Sequence, residues 1–200
     1  MPAHHTSPSL EASYVLLAES VRRLVDVAIR SEVGIEDVRA AAAKIDSATA
    51  QLSAALIPGA RGVERAADGT TVVWGNAAIG LRNAIAPPLV VRHQTDGRVR
   101  ADATLGAAYE GPAGHVHGGI CALILDHVLG ATAHQPGRPA VTGTLTLRYE
   151  AGTRLGPVRA VAWVERVEGA KTFAVGHLET SDGVTVRAEG VFFHPLPAQT

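Results

Sequence analysis

Cysteine is nearly absent from this 200-residue chain: Cys121 stands alone, so no disulfide can close within one chain. It sits in an apolar run, where a free thiol acts as a small core residue, and its isolation fits a reducing compartment. A charge excess is also missing. The 18 basic and 19 acidic side chains are spread along the chain, so no basic field points to nucleic acid or an anionic membrane. Long apolar runs are missing too: the strongest, Ile120 to Leu125, is far too short to cross a bilayer. The opening MPAHHTSPSLEASY lacks the basic-then-apolar order of a secretion signal. The expectation is a cytoplasmic protein with no nucleic-acid partner and no membrane span. What is present, 46% hydrophobic residues, suffices for one core domain with an appendage.

That appendage reads as an N-terminal αα-hairpin within residues 1–60. Ser7 and Pro8 suit an N-cap and a first helical position, and Tyr14, Leu17, Val21, Leu24 and Ala28 recur at spacings of three and four. After Gly34 a second stripe runs through Val38, Ala42, Ile45, Thr49, Leu52 and Leu56 until Pro58 and Gly59 end it. Such regular stripes suit a packing or oligomerisation arm rather than catalysis. Residues 61–88 show little period and read as a connector.

Over residues 89–195 the period becomes two. Leu89 to His93 and Arg98 to Leu105 flank Thr95-Asp96-Gly97, a hairpin signal, because Asp-Gly supplies the positive φ of a tight turn. A glycine-rich loop leads into the helical segment Ile120 to His134, and four strand candidates follow: Ala140 to Ala151, Val158 to Val167, Thr172 to Ser181 and Val184 to His194. The first of these alternates, placing Val141, Leu145, Leu147 and Tyr149 on one face and Thr142, Thr144, Thr146, Arg148 and Glu150 on the other. A helix apolar on nearly every side must be enclosed by protein. These elements predict an α+β fold in which an antiparallel sheet wraps one long central helix.

The segment YEGPAGHVHGGICALILDHVLG, with His117, Gly118 and Gly119 followed by Asp126, resembles the signature of the thioesterase superfamily, the PaaI-like hotdog proteins. The likeness continues through VTGTLTLRYE, VEGAKTF and AEGVFF. It implies a hotdog-fold acyl-CoA thioesterase in which a Thr or Ser at the place of Thr142 helps hold the attacking water, and a basic residue near Lys171 meets the CoA phosphates. CoA is then part of the substrate, and no separate cofactor is expected. Some relatives carry Asn six residues before the His, where this chain has Gly111.

Physical chemistry supports the same residues independently. A helix opening at His117-Gly118-Gly119 offers unpaired N–H groups and a positive dipole end to a developing oxyanion, and glycine admits close approach. Asp126, a carboxylate in an apolar helix, suits a general base or a nucleophile, and sequence does not separate the two. Nine residues at ~100° and ~1.5 Å each put Asp126 on the opposite side of the helix from His117, ~13 Å along its axis. One chain cannot aim both at one carbonyl. A homodimer or dimer of dimers sharing its sites between antiparallel helices is therefore expected, as the resemblance also implies. Arg148, ~20 Å along the strand from Thr142, is at the reach of a pantetheine arm. The expected catalytic residues are thus Asp126, His117, Gly118 and Thr142, with Gly119, Arg148, Glu150 and Lys171 contacting substrate.

Three other readings compete. His115 and His117 could begin a metal site, but no third ligand follows at a suitable spacing, and His127 with His134 lacks one as well. A hotdog dehydratase would need a differently framed His and acid. A protein that binds or senses acyl-CoA without turnover would keep the groove but has no need of Asp126.

Overall fold

The computed structural model describes residues 8–65, 71–134 and 139–194 and divides into two compact units, Met1–Ala86 and Pro87–Thr200. The first unit contains α1 (Pro8–Arg30), α2 (Ile35–Ser53) and a small antiparallel ribbon of β1 (Val63–Arg65) and β2 (Thr71–Val73). Ser7, the expected cap, lies outside the described residues. α1 buries Ala18, with Tyr14, Val15 and Val25 half-buried, whereas the anticipated Leu17, Val21 and Leu24 stay exposed. Tyr14 belongs to an aromatic–guanidinium stack: the Arg82 guanidinium lies 3.3 Å from its ring centre and 4.3 Å from that of Trp74. Burial is the main reason the Arg82 pKa falls below its usual value. Trp74 is fully buried and donates from Nε1 to Glu64, 2.9 Å away. This ribbon and stack give structure to a segment whose sequence showed no period, because β1 and β2 are only three residues each.

The second unit has β3 (Val90–His93), β4 (Val99–Leu105), a 3-10 turn at Ala107–Tyr109, α3 (Gly118–Ala133), and then β5 (Val141–Tyr149), β6 (Gly156–Glu168), β7 (Lys171–Thr180) and β8 (Gly183–Phe193). The sheet is antiparallel with strand order β3-β4-β6-β7-β8-β5. Its hairpins turn at Gly97, Gly169 and Gly183, where φ is +82°, +58° and +114°, values that glycine alone adopts readily. α3 packs against β4, β5, β6, β7 and β8, so the sheet wraps the helix as the sequence pattern predicts.

Small residues make that wrapping possible. Ala101, Ala103, Ala160, Ala162, Ala174 and Ala188 line the inner face, and a Cβ on Gly176 or Gly190 would press into Leu129 of α3. The helix fills the space with Ile124, Leu125, Val128 and Leu129, all fully buried. Each contributes about 2 kcal/mol by burial, and Leu125→Ala would cost about 3 kcal/mol once the cavity is counted. The opposite side of α3 differs: Ala122, Leu123, Asp126 and His127 are only half-buried in the single chain. β5 ends the sheet, with Val141 and Tyr149 exposed.

Candidate functional site

α3 begins where the loop from Gly111 is cinched onto itself. Gly111 N–H donates to His115 O at 2.9 Å, His117 N–H to Tyr109 O at 2.9 Å, and Val116 N–H to Thr153 O at 2.8 Å. His117 is the N-cap, and its Nδ1 accepts from the Gly119 N–H at 3.0 Å. An accepting Nδ1 carries no proton, so the neutral ring holds its proton on Nε2. The next peptide is fixed from its other side, since the Tyr149 hydroxyl donates to Gly118 O at 2.9 Å. The Gly118–Gly119 peptide is thus clamped at both its oxygen and its N–H. Gly118 N–H itself has no partner among the described residues, as expected for the first turn of a helix.

Gly118 opens onto a cleft of about 450 Å³, lined also by Pro112, Val116, Cys121, Tyr149 and Thr153. The Tyr149 ring sits 3.4 Å from where a Gly118 Cβ would project, at ordinary contact distance, so the ring lies directly beside this glycine. Beneath the cleft runs a chain of buried hydroxyls: Cys121 Sγ donates to Thr153 Oγ1 at 3.7 Å, which bonds Thr185 Oγ1 at 2.7 Å, and Thr185 reaches Leu178 O at 3.3 Å. Burial pushes the Cys121 thiol pKa up, which keeps it protonated, and raises the Tyr149 pKa as well. A larger cleft of about 600 Å³ lies by Pro88, Asp102, Pro157, Arg159 and Glu179, away from the α3 N-terminus. Its charges are already matched, Asp102 meeting Arg92, Arg100 and Arg159 at 2.9–3.2 Å. The smaller cleft therefore holds the uncommitted donor.

Asp126 stands on the half-buried side of α3, where Thr142 Oγ1 donates to its Oδ1 at 2.8 Å. Thr142 does not lie on the outward polar face that strict alternation along β5 predicts. A β-bulge at Gly143 shifts the β5–β8 register between Thr142 and Thr144, so Thr142 pairs with Phe192 and Leu145 with Gly190. Phe192 is buried against α3, and paired residues share a face. Thr142 therefore points to the helix with Leu145, Leu147 and Tyr149, while Arg148 and Thr144 point outward. Gly143 fits there because a Cβ would lie 2.1 Å from the Phe193 ring.

Residues 113–187 match the family model of the thioesterase superfamily. A crystal structure of a thioesterase superfamily protein is 34% identical, covers 90% of this chain and 90% of its own, and superposes with a TM-score of 0.79. The chain belongs to the thioesterase superfamily. A Bacillus halodurans protein crystallised with CoA is 27% identical over 54% of this chain and 74% of its own, with a TM-score of 0.50. A phenylacetic acid degradation-related protein of Ralstonia eutropha shares the fold at 24% identity, over 52% of this chain and 83% of its own, with a TM-score of 0.50. The comparison with curated proteins gives no match.

Within this thioesterase-superfamily fold the remaining expected site residues are dispersed. Arg148 lies across from Arg187 on the outer face, and Glu150 accepts from Arg187 Nε at 3.0 Å. Lys171 opens β7 with its Nζ 5.5 Å from the Phe193 ring centre. His115 is tied locally, its Nδ1 2.9 Å from Ala113 O, and His127 has its pKa lowered by burial, against the opposing pull of Asp126. Sequence reasoning missed two groups that shape the site: Tyr149, whose hydroxyl clamps Gly118, and Gly143, whose bulge turns Thr142 inward. Gly143 inside an alternating strand was the available signal, since a strand glycine often marks a bulge.

Proposed function

We propose that the protein hydrolyses the thioester of a fatty or aryl acyl-CoA to the free acid and CoA. The observation that carries this reading is the 2.8 Å bond from Thr142 to Asp126. It holds the carboxylate by one oxygen and leaves the other lone pairs for a water. In the same superfamily fold the Gly118 N–H, with Nε2–H of His117 beside it, supplies donors for the thioester carbonyl. Asp126 takes a proton from the attacking water, or attacks the carbonyl itself to form a mixed anhydride that water then hydrolyses to the free acid. The oxyanion is held at Gly118 and His117, and its collapse breaks the carbon–sulfur bond and releases CoA thiolate.

Asp126 lies nine positions after His117 along one helix, and that spacing supports a site shared between two chains. Each carbonyl would then meet His117 and Gly118 of one protomer and Asp126 and Thr142 of the other. The exposed edge of β5 and the half-buried flank of α3 give such a dimer its contact surface. Arg148 and Arg187, side by side on the outer face with Glu150 paired to Arg187, suit the CoA phosphates, with Lys171 a second cation for them.

A thiol-release assay over a panel of fatty and aryl acyl-CoAs tests the reading, with Asp126→Ala as control. Multiple turnovers that vanish in the control support hydrolysis. Tight acyl-CoA binding without turnover would instead favour an acyl-CoA-sensing protein.

A further inference from the structure

α2 is a 19-residue helix with no buried residue. A helix of that length and composition has little stability in water without a packed face, and this one has such a face left uncovered. Within α2, Ile35, Val38, Ala42, Ile45, Thr49 and Leu52 follow each other by three, four, three, four and three residues, and Leu56 continues the spacing just past the helix end. That is a strict 3.5-residue period, the narrow seam of a coiled coil rather than the wider stripe of a helix laid on a sheet. Val38, Ile45 and Leu52 are 53%, 42% and 49% exposed, so none of the described residues covers the seam.

We propose that α2 pairs antiparallel with α2 of a second copy of this chain. Coiled-coil layering then sets Ile35 against Leu52, Val38 against Thr49 and Ala42 against Ile45, each pair made twice by the two-fold axis. The flanking charges select this arrangement. The same register sets Arg39 opposite Asp46 of the other copy, again twice, and Ala41 opposite Ala48, small enough for close approach. In a parallel pair Arg39 would face Gly34 and Asp46 would face Ala41, with no charge matched. Among the described residues Arg39 pairs only with Glu36, 3.1 Å away, and Asp46 has no ion pair. The proposal does not depend on the thioesterase reading.

The test uses the full-length chain. Ala42→Cys protein is mixed with Ile45→Cys protein carrying a size tag, allowed to exchange and mildly oxidised, while Cys121 is buried and common to every sample. A mixed disulfide should form readily, and Ser47→Cys, on the opposite side of the helix, should give little with the same Ile45→Cys partner. Adding Arg39→Asp to both chains should lower the mixed disulfide about fivefold, the scale of two exposed pairs turned repulsive. Adding Asp46→Arg to those same chains should restore it, which pairing with an unrelated protein would not do. Both charge changes fall on exposed side chains, and circular dichroism confirms that the helices persist. A mixed disulfide no stronger than the Ser47→Cys control, or one indifferent to the charge changes, overturns the proposal.

Discussion

Gly111 offers a sharp test of how the α3 N-terminus is held. A Cβ placed there would lie 2.7 Å from His117 Cα, 3.1 Å from its Cβ and 3.2 Å from its N. Carbon atoms rest at about 3.5–4.0 Å, so Gly111→Ala forces an overlap of about 1 Å with backbone, which cannot swing aside as a side-chain tip can. Both strands of the loop are tied, Gly111 to His115 and His117 to Tyr109. The strain should cost about 1–3 kcal/mol, the usual scale of overpacking. A shift of about 1 Å in His117 and Gly118 should slow thioester hydrolysis by up to about 100-fold. The measurements are a urea melt and kcat by thiol release, with Gly75→Ala as control because its added Cβ meets nothing within 4 Å. The same crowding predicts that Gly111→Asn, the residue some relatives carry, harms this chain rather than helping it. A Gly111→Ala protein within about 0.5 kcal/mol of wild type, the range of an uneventful surface change, and of undiminished kcat would refute the reasoning.

Asp126→Asn should fold normally yet hydrolyse at least ~100-fold more slowly, the scale of losing a general base, measured as thiol release against a melting control. Thr142→Ala should cost about tenfold, one hydrogen bond to a charged group, and Thr142→Ser should recover most of it in the same assay. Mixing His117→Ala with Asp126→Ala protein should restore up to ~25% of wild-type activity, since about half the dimers become mixed and each regains one of two sites. Verified exchange with no recovery would place both residues in one chain's site or in none. His127 supplies a pH dependence: burial lowers its pKa, so below about pH 6.5 the unfolded chain takes up a proton that the folded one refuses. Its contribution to stability is complete above that pH and is lost as pH falls towards the lowered folded value, and His127→Gln should flatten urea midpoints across that window.

The wrapped helix was legible because its signals are long and regular: six strand segments of period two around one segment apolar on nearly every side. The β1–β2 ribbon was not, because three-residue strands carry no period and Trp74 and Arg82 meet only through tertiary stacking. In α1 the stripe at Leu17, Val21 and Leu24 proved exposed, while the face through Tyr14, Ala18 and Val25 is the one covered. Periodicity identifies an apolar face but not its partner. For the site, the family resemblance singled out His117, Gly118, Asp126 and Thr142, and the structure puts Thr142 on Asp126 and His117 at the cap of Gly118. Alternation alone, however, sent Thr142 to the wrong side of its strand.

The bulge explains how the strand serves both ends of the site. Without the bulge, a strand that turns Leu145 and Leu147 to α3 must turn Thr142 to solvent, since faces alternate with every residue. The extra residue at Gly143 resets the alternation, so one strand supplies apolar side chains along the middle of the helix and a hydroxyl at Asp126. Tyr149, at the other end of β5 and in phase with Leu145 and Leu147, reaches Gly118. A single edge strand thus grips both ends of the α3 site segment, with Thr142 on the carboxylate and Tyr149 on the peptide behind the free N–H. Because β5 is also one of the two edge strands of the sheet, a second subunit docking along it would press on both grips at once. In the proposed shared-site dimer, assembly and site geometry would be coupled through the nine residues of β5, and a change at Gly143 should disturb Thr142 and the docking edge together.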